Sequence, residues 1–137
     1  MNQQTGKQPG RLPLQNLLVL ELGHIVAGPA ASLLLADLGA DVIKIERPDG
    51  GDQARSMPGA GNSGFFHYNR NKRSLAIDLK SPKGKAALLK LVSKADICLD
   101  NYAPGALERM GLGYEDLARV NPRLLYLSVK GFLPGPY

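Results

Sequence analysis

Residues 17–47 read LLVLELGHIVAGPAASLLLADLGADVIKIER, and the spacing within them decides the fold. Leu17 to Leu22 is an apolar run of strand length. Gly23 to Gly28 is a glycine-bounded turn. Pro29 to Leu38 has helical character, with Pro29 suited to a first helical position, where its missing N–H would have no partner. Gly39 can take the left-handed conformation that stops a helix, and Asp41 to Glu46 reads as a second strand. Strand, helix and strand in this order predict a right-handed β-α-β unit with parallel strands. Ligands of such sheets gather beyond the carboxyl ends of the strands. That places Gly23–Gly28 and Glu46-Arg47-Pro48 on one rim. The turn is not G-x-G-x-x-G and no G-K-[ST] follows it, so neither dinucleotide nor P-loop spacing is present.

Working outward, Arg47 to Gly64 is rich in Gly, Pro, Asp, Asn and Ser and reads as a loop, long enough to suggest function. Gly64 to Asn69 is expected to form a short helical turn. In Leu75-Ala76-Ile77-Asp78-Leu79-Lys80, apolar residues alternate with others, the period of a half-buried extended segment. Ser81-Pro82 starts a helix, serine as cap and proline first. It is expected to run to about Lys94 with Ala87, Leu88, Leu91 and Val92 inward. Ile97 to Asp100 and Leu124 to Val129 read as further parallel strands. Asn101 to Gly105 follows the first of these on the ligand rim. Short helices are expected at Ala106–Met110 and Tyr114–Val120. The fold class is α/β, an open parallel Rossmann-like sheet with helices on both faces.

The 137 residues, 44% of them apolar, make at most one ordinary domain. Residues 1–11 are polar and expected to be a disordered tail; residues 12–137 form the domain. Glu21, His24, Asp37 and Asp41 interrupt the apolar runs, so no membrane span is predicted. The single Cys98 excludes an internal disulfide and reads as a buried strand residue, which fits a reducing cytoplasm. The charge of +5, from 17 basic and 12 acidic residues, favours anionic partners. The basic residues are dispersed and carry no nucleic-acid signature. His24 and His67 lack partners at ligand spacing, so both read as structural and no metal is expected.

A phosphorylated ligand needs donors that converge on the rim. Arg47 follows the second strand and Arg109 lies in the short helix after the third. Arginine suits phosphate because its planar fork makes two parallel hydrogen bonds. Amides near Ala27 and Gly28, at a helix amino end, could add donors. Lys72, Arg73 and Lys80 flank the extended segment. Lys72, Lys83, Lys85 and Lys90 are read as solvated charges.

Several stretches together resemble the class III (CaiB/BaiF-type) CoA-transferases. They are Ala27-Gly28-Pro29, Leu35 to Pro48, Gly51-Asp52, Asn71 to Ser74, Ile77 to Lys80, Ala95-Asp96, Asn101 to Gly111 and Asn121 to Phe132. The resemblance covers Leu14 to Tyr137. It implies a coenzyme A site without metal. Val26 and Ala27 would line it, and Arg47 would meet the nucleotide phosphates. Ile77, Asp78, Leu79 and Lys80 would hold the adenine and its surroundings. Asn101, Tyr102 and Arg109 would hold the pantetheine and phosphate region. Where some transferases have Gln, Val26 stands here, which removes a polar contact near the thioester.

The resemblance further implies an aspartate nucleophile that works through acyl anhydrides. That aspartate lies beyond Tyr137, so no catalytic residue is assigned within the chain. Asp37, Asp41, Asp78 and Asp100 read as helix- or strand-end residues. The chain is therefore expected to be the amino-terminal, CoA-binding part of a cytoplasmic enzyme built as an interlocked homodimer, and inactive alone. Its substrates would be an acyl-CoA and a free carboxylic acid, with neither nucleic acid nor membrane as partner. Two alternatives stay open: α-methylacyl-CoA racemisation in the same family, which needs proton abstraction and return, and CoA or nucleotide binding without chemistry.

Overall fold

The computed structural model describes residues 12–58 and 61–131. The expected tail, residues 1–11, and the carboxyl-terminal residues 132–137 lie outside the described residues. The elements in chain order are β1 (Leu18–Leu22), α1 (Ala27–Asp37), β2 (Asp41–Glu46), a 3-10 turn (Gln53–Arg55), α2 (Gly61–Asn69), β3 (Lys72–Ala76), α3 (Pro82–Val92), β4 (Ile97–Asp100), α4 (Ala106–Arg109), α5 (Tyr114–Val120) and β5 (Leu125–Ser128). The five strands form one sheet in the order β3-β2-β1-β4-β5, and every pairing is parallel.

Parallel strands covered on both faces need apolar side chains on both. Val19, Val42 and Leu99 pack with Ala36 and Ala40 on the α1 face. Leu20, Leu22, Ile43, Ile45 and Cys98 point to the other face, against Leu88 and Val92 of α3 and Leu117 of α5. The strand order reverses direction at β1, because β2 and β4 flank it on opposite sides. A crevice therefore opens between the loops that leave β1 and β4, the place where sheets of this kind receive ligands.

Several boundaries differ from the sequence reading. α1 begins at Ala27, so Pro29 is its third residue; the first four amides of a helix lack intrahelical partners, so proline fits there equally well. The segment 47–64 is not all loop, since it contains the 3-10 turn and the start of α2. The extended segment lies earlier than the alternation suggested: β3 spans Lys72–Ala76, and only the Ile77 amide, bonded to the Glu46 carbonyl at 2.8 Å, prolongs it. Residues 77–80 turn into α3 instead. Ser81 caps that helix by accepting from the Gly84 amide, and Gly84 sits so close to the Asp78 carbonyl that any side chain there would overlap it. α3 ends at Val92, and Ala87 is exposed rather than inward.

Candidate functional site

Two adjoining clefts open on the carboxyl-terminal rim and share Ile45, Glu46, Arg47 and Tyr102. The larger, about 400 Å³, is walled by Gly23 and His24 after β1, Gly51 to Gln53 after β2, and Ala103 and Ala106 after β4. The smaller, about 180 Å³, is closed by Ile77, Asp78, Leu79, Lys80 and Met110. The structure thus brings together Arg47, Ile77, Asp78, Leu79, Lys80 and Tyr102. Val26 and Ala27 are exposed at the start of α1, beside the first cleft rather than in its wall. Arg109 is exposed and folds back on Gly105, where an added Cβ would come within 2.7 Å of its Nη1, and it lines neither cleft.

Asn101 engages backbone through both ends of its side-chain amide. Oδ1 accepts from the His24 amide at 2.8 Å and Nδ2 donates to the His24 carbonyl at 2.9 Å. It ties the β1 turn to the β4 loop across the crevice. Gly28 has no room for a side chain here, because an added Cβ would lie 2.8 Å from Gly23 Cα and 3.1 Å from Asn101 Oδ1. The His24 ring stands edge-on to Tyr102, with centroids 5.3 Å apart.

Beneath the clefts lies a buried ion network that the sequence reading missed. Lys44 Nζ reaches Glu21 Oε1 at 2.7 Å, Asp52 Oδ2 at 2.8 Å and the Gly23 carbonyl at 2.9 Å. Lys72, read as a solvated charge, is instead shielded: its side chain is 1% exposed and its Nζ meets Glu21 Oε2 and the Pro29 carbonyl, each at 2.8 Å. Ser32 completes the set by donating to Glu21 at 2.6 Å. Two lysines thus balance two carboxylates, which is what makes buried charge tolerable. Burial pulls the Lys72 ammonium below its ordinary value, against the attraction of Glu21.

Glu46 ends β2 and organises the loop that follows. Its carboxylate accepts from Arg55 Nε and Nη2 at 2.8 and 2.7 Å, from Ser74 Oγ at 2.6 Å and from the Asp52 amide at 2.7 Å. Burial opposes its charge, but these donors outweigh that and lower its pKa to about 2. Arg55 also stacks over the Phe65 ring, 4.0 Å from its centroid. Arg47 is left facing the cleft; among the described residues its one hydrogen bond runs from Nε to the Gly51 carbonyl, at 2.8 Å. That leaves the rest of its fork for an anion.

Asp100 closes the β4 side. Burial opposes its ionisation, but hydrogen bonds from Lys130 Nζ (2.6 Å), Tyr126 Oη (2.8 Å) and the Tyr102 amide (2.8 Å) hold its carboxyl below the usual range. Burial pushes the neighbouring Cys98 thiol up to about 12, so it stays protonated, as a strand-core residue should. Burial also raises the Tyr102 hydroxyl. Among the described residues no group of His, Cys, Asp or Glu could hold a metal ion, and no helix is long and apolar enough to cross a membrane.

Residues 14–137 match the model of CoA-transferase family III. The formyl-CoA:oxalate CoA-transferase of Afipia carboxidovorans is 44% identical over 128 residues, which are 90% of this chain and 30% of that protein. The enzyme of the same name from Bradyrhizobium diazoefficiens is 43% identical over the same shares. Among solved structures, a CAIB/BAIF family protein from Brucella suis superposes with a TM-score of 0.85 at 40% identity, over 93% of this chain and 36% of that one. The chain therefore spans about 30% of the length of the curated relatives it matches.

Proposed function

This chain belongs to CoA-transferase family III, and from that premise we propose that it is the CoA-binding part of an enzyme that moves CoA between an acyl-CoA and a free carboxylic acid. The observation that carries the reading is the pair of joined clefts on the carboxyl-terminal rim. They put the free fork of Arg47 beside Ile77–Lys80 and Tyr102. An elongated anionic ligand fits that shape. Its phosphates would lie against Arg47 and Lys80, its adenine against Ile77 and Leu79, and its pantetheine arm would run past Tyr102 toward Val26 and Ala27.

The residues here bind and orient; they do not supply a nucleophile. Glu46 is engaged with Arg55, Asp52 with Lys44 and Asp100 with Lys130, while Asp78, in the wall of the smaller cleft, accepts from the Lys80 amide. In this reading the acyl-accepting carboxylate belongs to a further part of a whole enzyme, which works as a cytoplasmic interlocked homodimer. The formyl-CoA:oxalate names of the relatives make small acyl-CoAs and short carboxylic acids the substrates to try first. The test is calorimetric titration of CoA into the chain and into Arg47→Ala. Loss of hydrogen bonds to a charged group should weaken binding by roughly 1.5–3 kcal/mol. Equal affinities would return Arg47 to the role of a surface charge.

A further inference from the structure

The turn between β1 and α1 contains a residue in a conformation its side chain disfavours: Ile25 has φ of 65°. A β-branched residue in the left-handed region is an outlier that persists only where its surroundings enforce it. Here the surroundings are all side chains from other elements. Lys44 holds the Gly23 carbonyl, Asn101 holds both the amide and the carbonyl of His24, and Asp52 accepts the Ile25 amide at 3.0 Å through Oδ1 and 3.2 Å through Oδ2. Asp52 is itself fixed. It is 5% exposed, paired with Lys44 at 2.8 Å, bonded to the Ala54 amide at 2.9 Å, and its own amide is bound by Glu46. It sits in the loop that walls the larger cleft.

We propose that Asp52 is a positioning residue: by holding Ile25 in the left-handed conformation it aims the following Val26 and Ala27 at the ligand, preorganised before binding. The inference rests on the CoA-binding reading above. Its logic is that of population shift. When Asp52 is removed, the turn relaxes to conformations an isoleucine prefers, and apparent affinity falls by the fraction of chains still competent. Only the part of the ligand that reaches the turn should register the loss.

The test compares CoA with 3′-phospho-ADP, its nucleotide end, on wild type, Asp52→Ala, and Asp52→Ala combined with Ile25→Gly. Glycine accepts positive φ about as readily as negative. Asp52→Ala should weaken CoA on the order of tenfold, the scale of one strained residue, and 3′-phospho-ADP much less. Adding Ile25→Gly should recover several-fold of the CoA affinity. Equal losses for both ligands, or no recovery with glycine, would overturn the proposal and leave Asp52 as a fold residue. Amide exchange at Ile25 supplies an arm independent of the ligand: slow in wild type and fast in Asp52→Ala is the expected result, and no change between them overturns it. Failure of wild type to bind either ligand, with the exchange result as expected, would instead remove the CoA reading and keep the Asp52–Ile25 clamp.

Discussion

The sheet has clefts at both ends, and volume alone does not tell them apart. At the amino-terminal end a cavity of about 520 Å³ lies among Leu17, Ser93 to Ile97, Asn121, Arg123 and Leu125. Among its polar side chains, those of Ser93, Asp96 and Asn121 serve the chain itself, while those of Lys94 and Arg123 make no ion pair or side-chain hydrogen bond among the described residues. Asp96 accepts the Leu18 amide at 2.8 Å, and Asn121 donates to the Val92 and Ala95 carbonyls at 2.9 and 2.7 Å. They end helices and start strands. On the carboxyl-terminal rim, by contrast, buried ion pairs reach into the turn after β1 and hold Ile25 at a φ of 65°. Volume follows from where helices stop; a binding site shows in what the chain spends stability to hold still.

The largest effect that could break this contrast is expected at Lys44. Removing one partner of a buried pair strands the other charge, at about 3–5 kcal/mol. Lys44→Met should lose an amount in that range in denaturant unfolding, whereas Lys94→Met at the amino-terminal end should change stability by about 0.5 kcal/mol or less. Similar losses at the two ends would erase the distinction.

Next comes acid. The folded pKa of Glu46, about 2, lies below its ordinary value of 4.5, so its contribution is whole above about pH 4.5 and is lost as pH falls toward 2. A shift of this size corresponds to on the order of 3 kcal/mol. Asp52 and Asp100 are also lowered and act on the same limb. The advantage of wild type over Glu46→Gln should therefore shrink between pH 5 and pH 2. A constant difference across that range would show that the carboxylate is not held charged as described.

Much of this architecture was legible in residues 17–47, because buried parallel strands and a glycine-bounded turn leave a periodic apolar signature. What was not legible has a physical cause. Glu21, Lys44 and Glu46 stand inside the apolar runs, and such positions are normally apolar in a strand covered on both faces; that was the available signal. Their partners Asp52, Arg55 and Lys72 come from later in the chain, and a single sequence does not say which charges meet. The β3 boundary slipped for a related reason. Leu75, Ile77 and Leu79 alternate, but Leu75 is 39% exposed on an edge strand, so the pattern marks the segment without fixing its register. Arg109 follows a core strand, as Arg47 does, and the sequence does not say that its side chain lies back along Gly105.

The smallest effect concerns Lys80. It is exposed, so Lys80→Gln should leave stability within about 0.5 kcal/mol of wild type while weakening CoA, and the weakening should fade with added salt as screening grows. Equal losses of stability and affinity, independent of salt, would make Lys80 structural.

The most direct measurement maps the ligand onto the two ends of the sheet at once. CoA titrated into the isotope-labelled chain should shift the backbone resonances of residues 23–28, Arg47, residues 51–53, 77–80 and 101–103, and leave residues 93–96 and 121–123 in place. Shifts centred on Lys94, Asp96 and Arg123 would contradict the account.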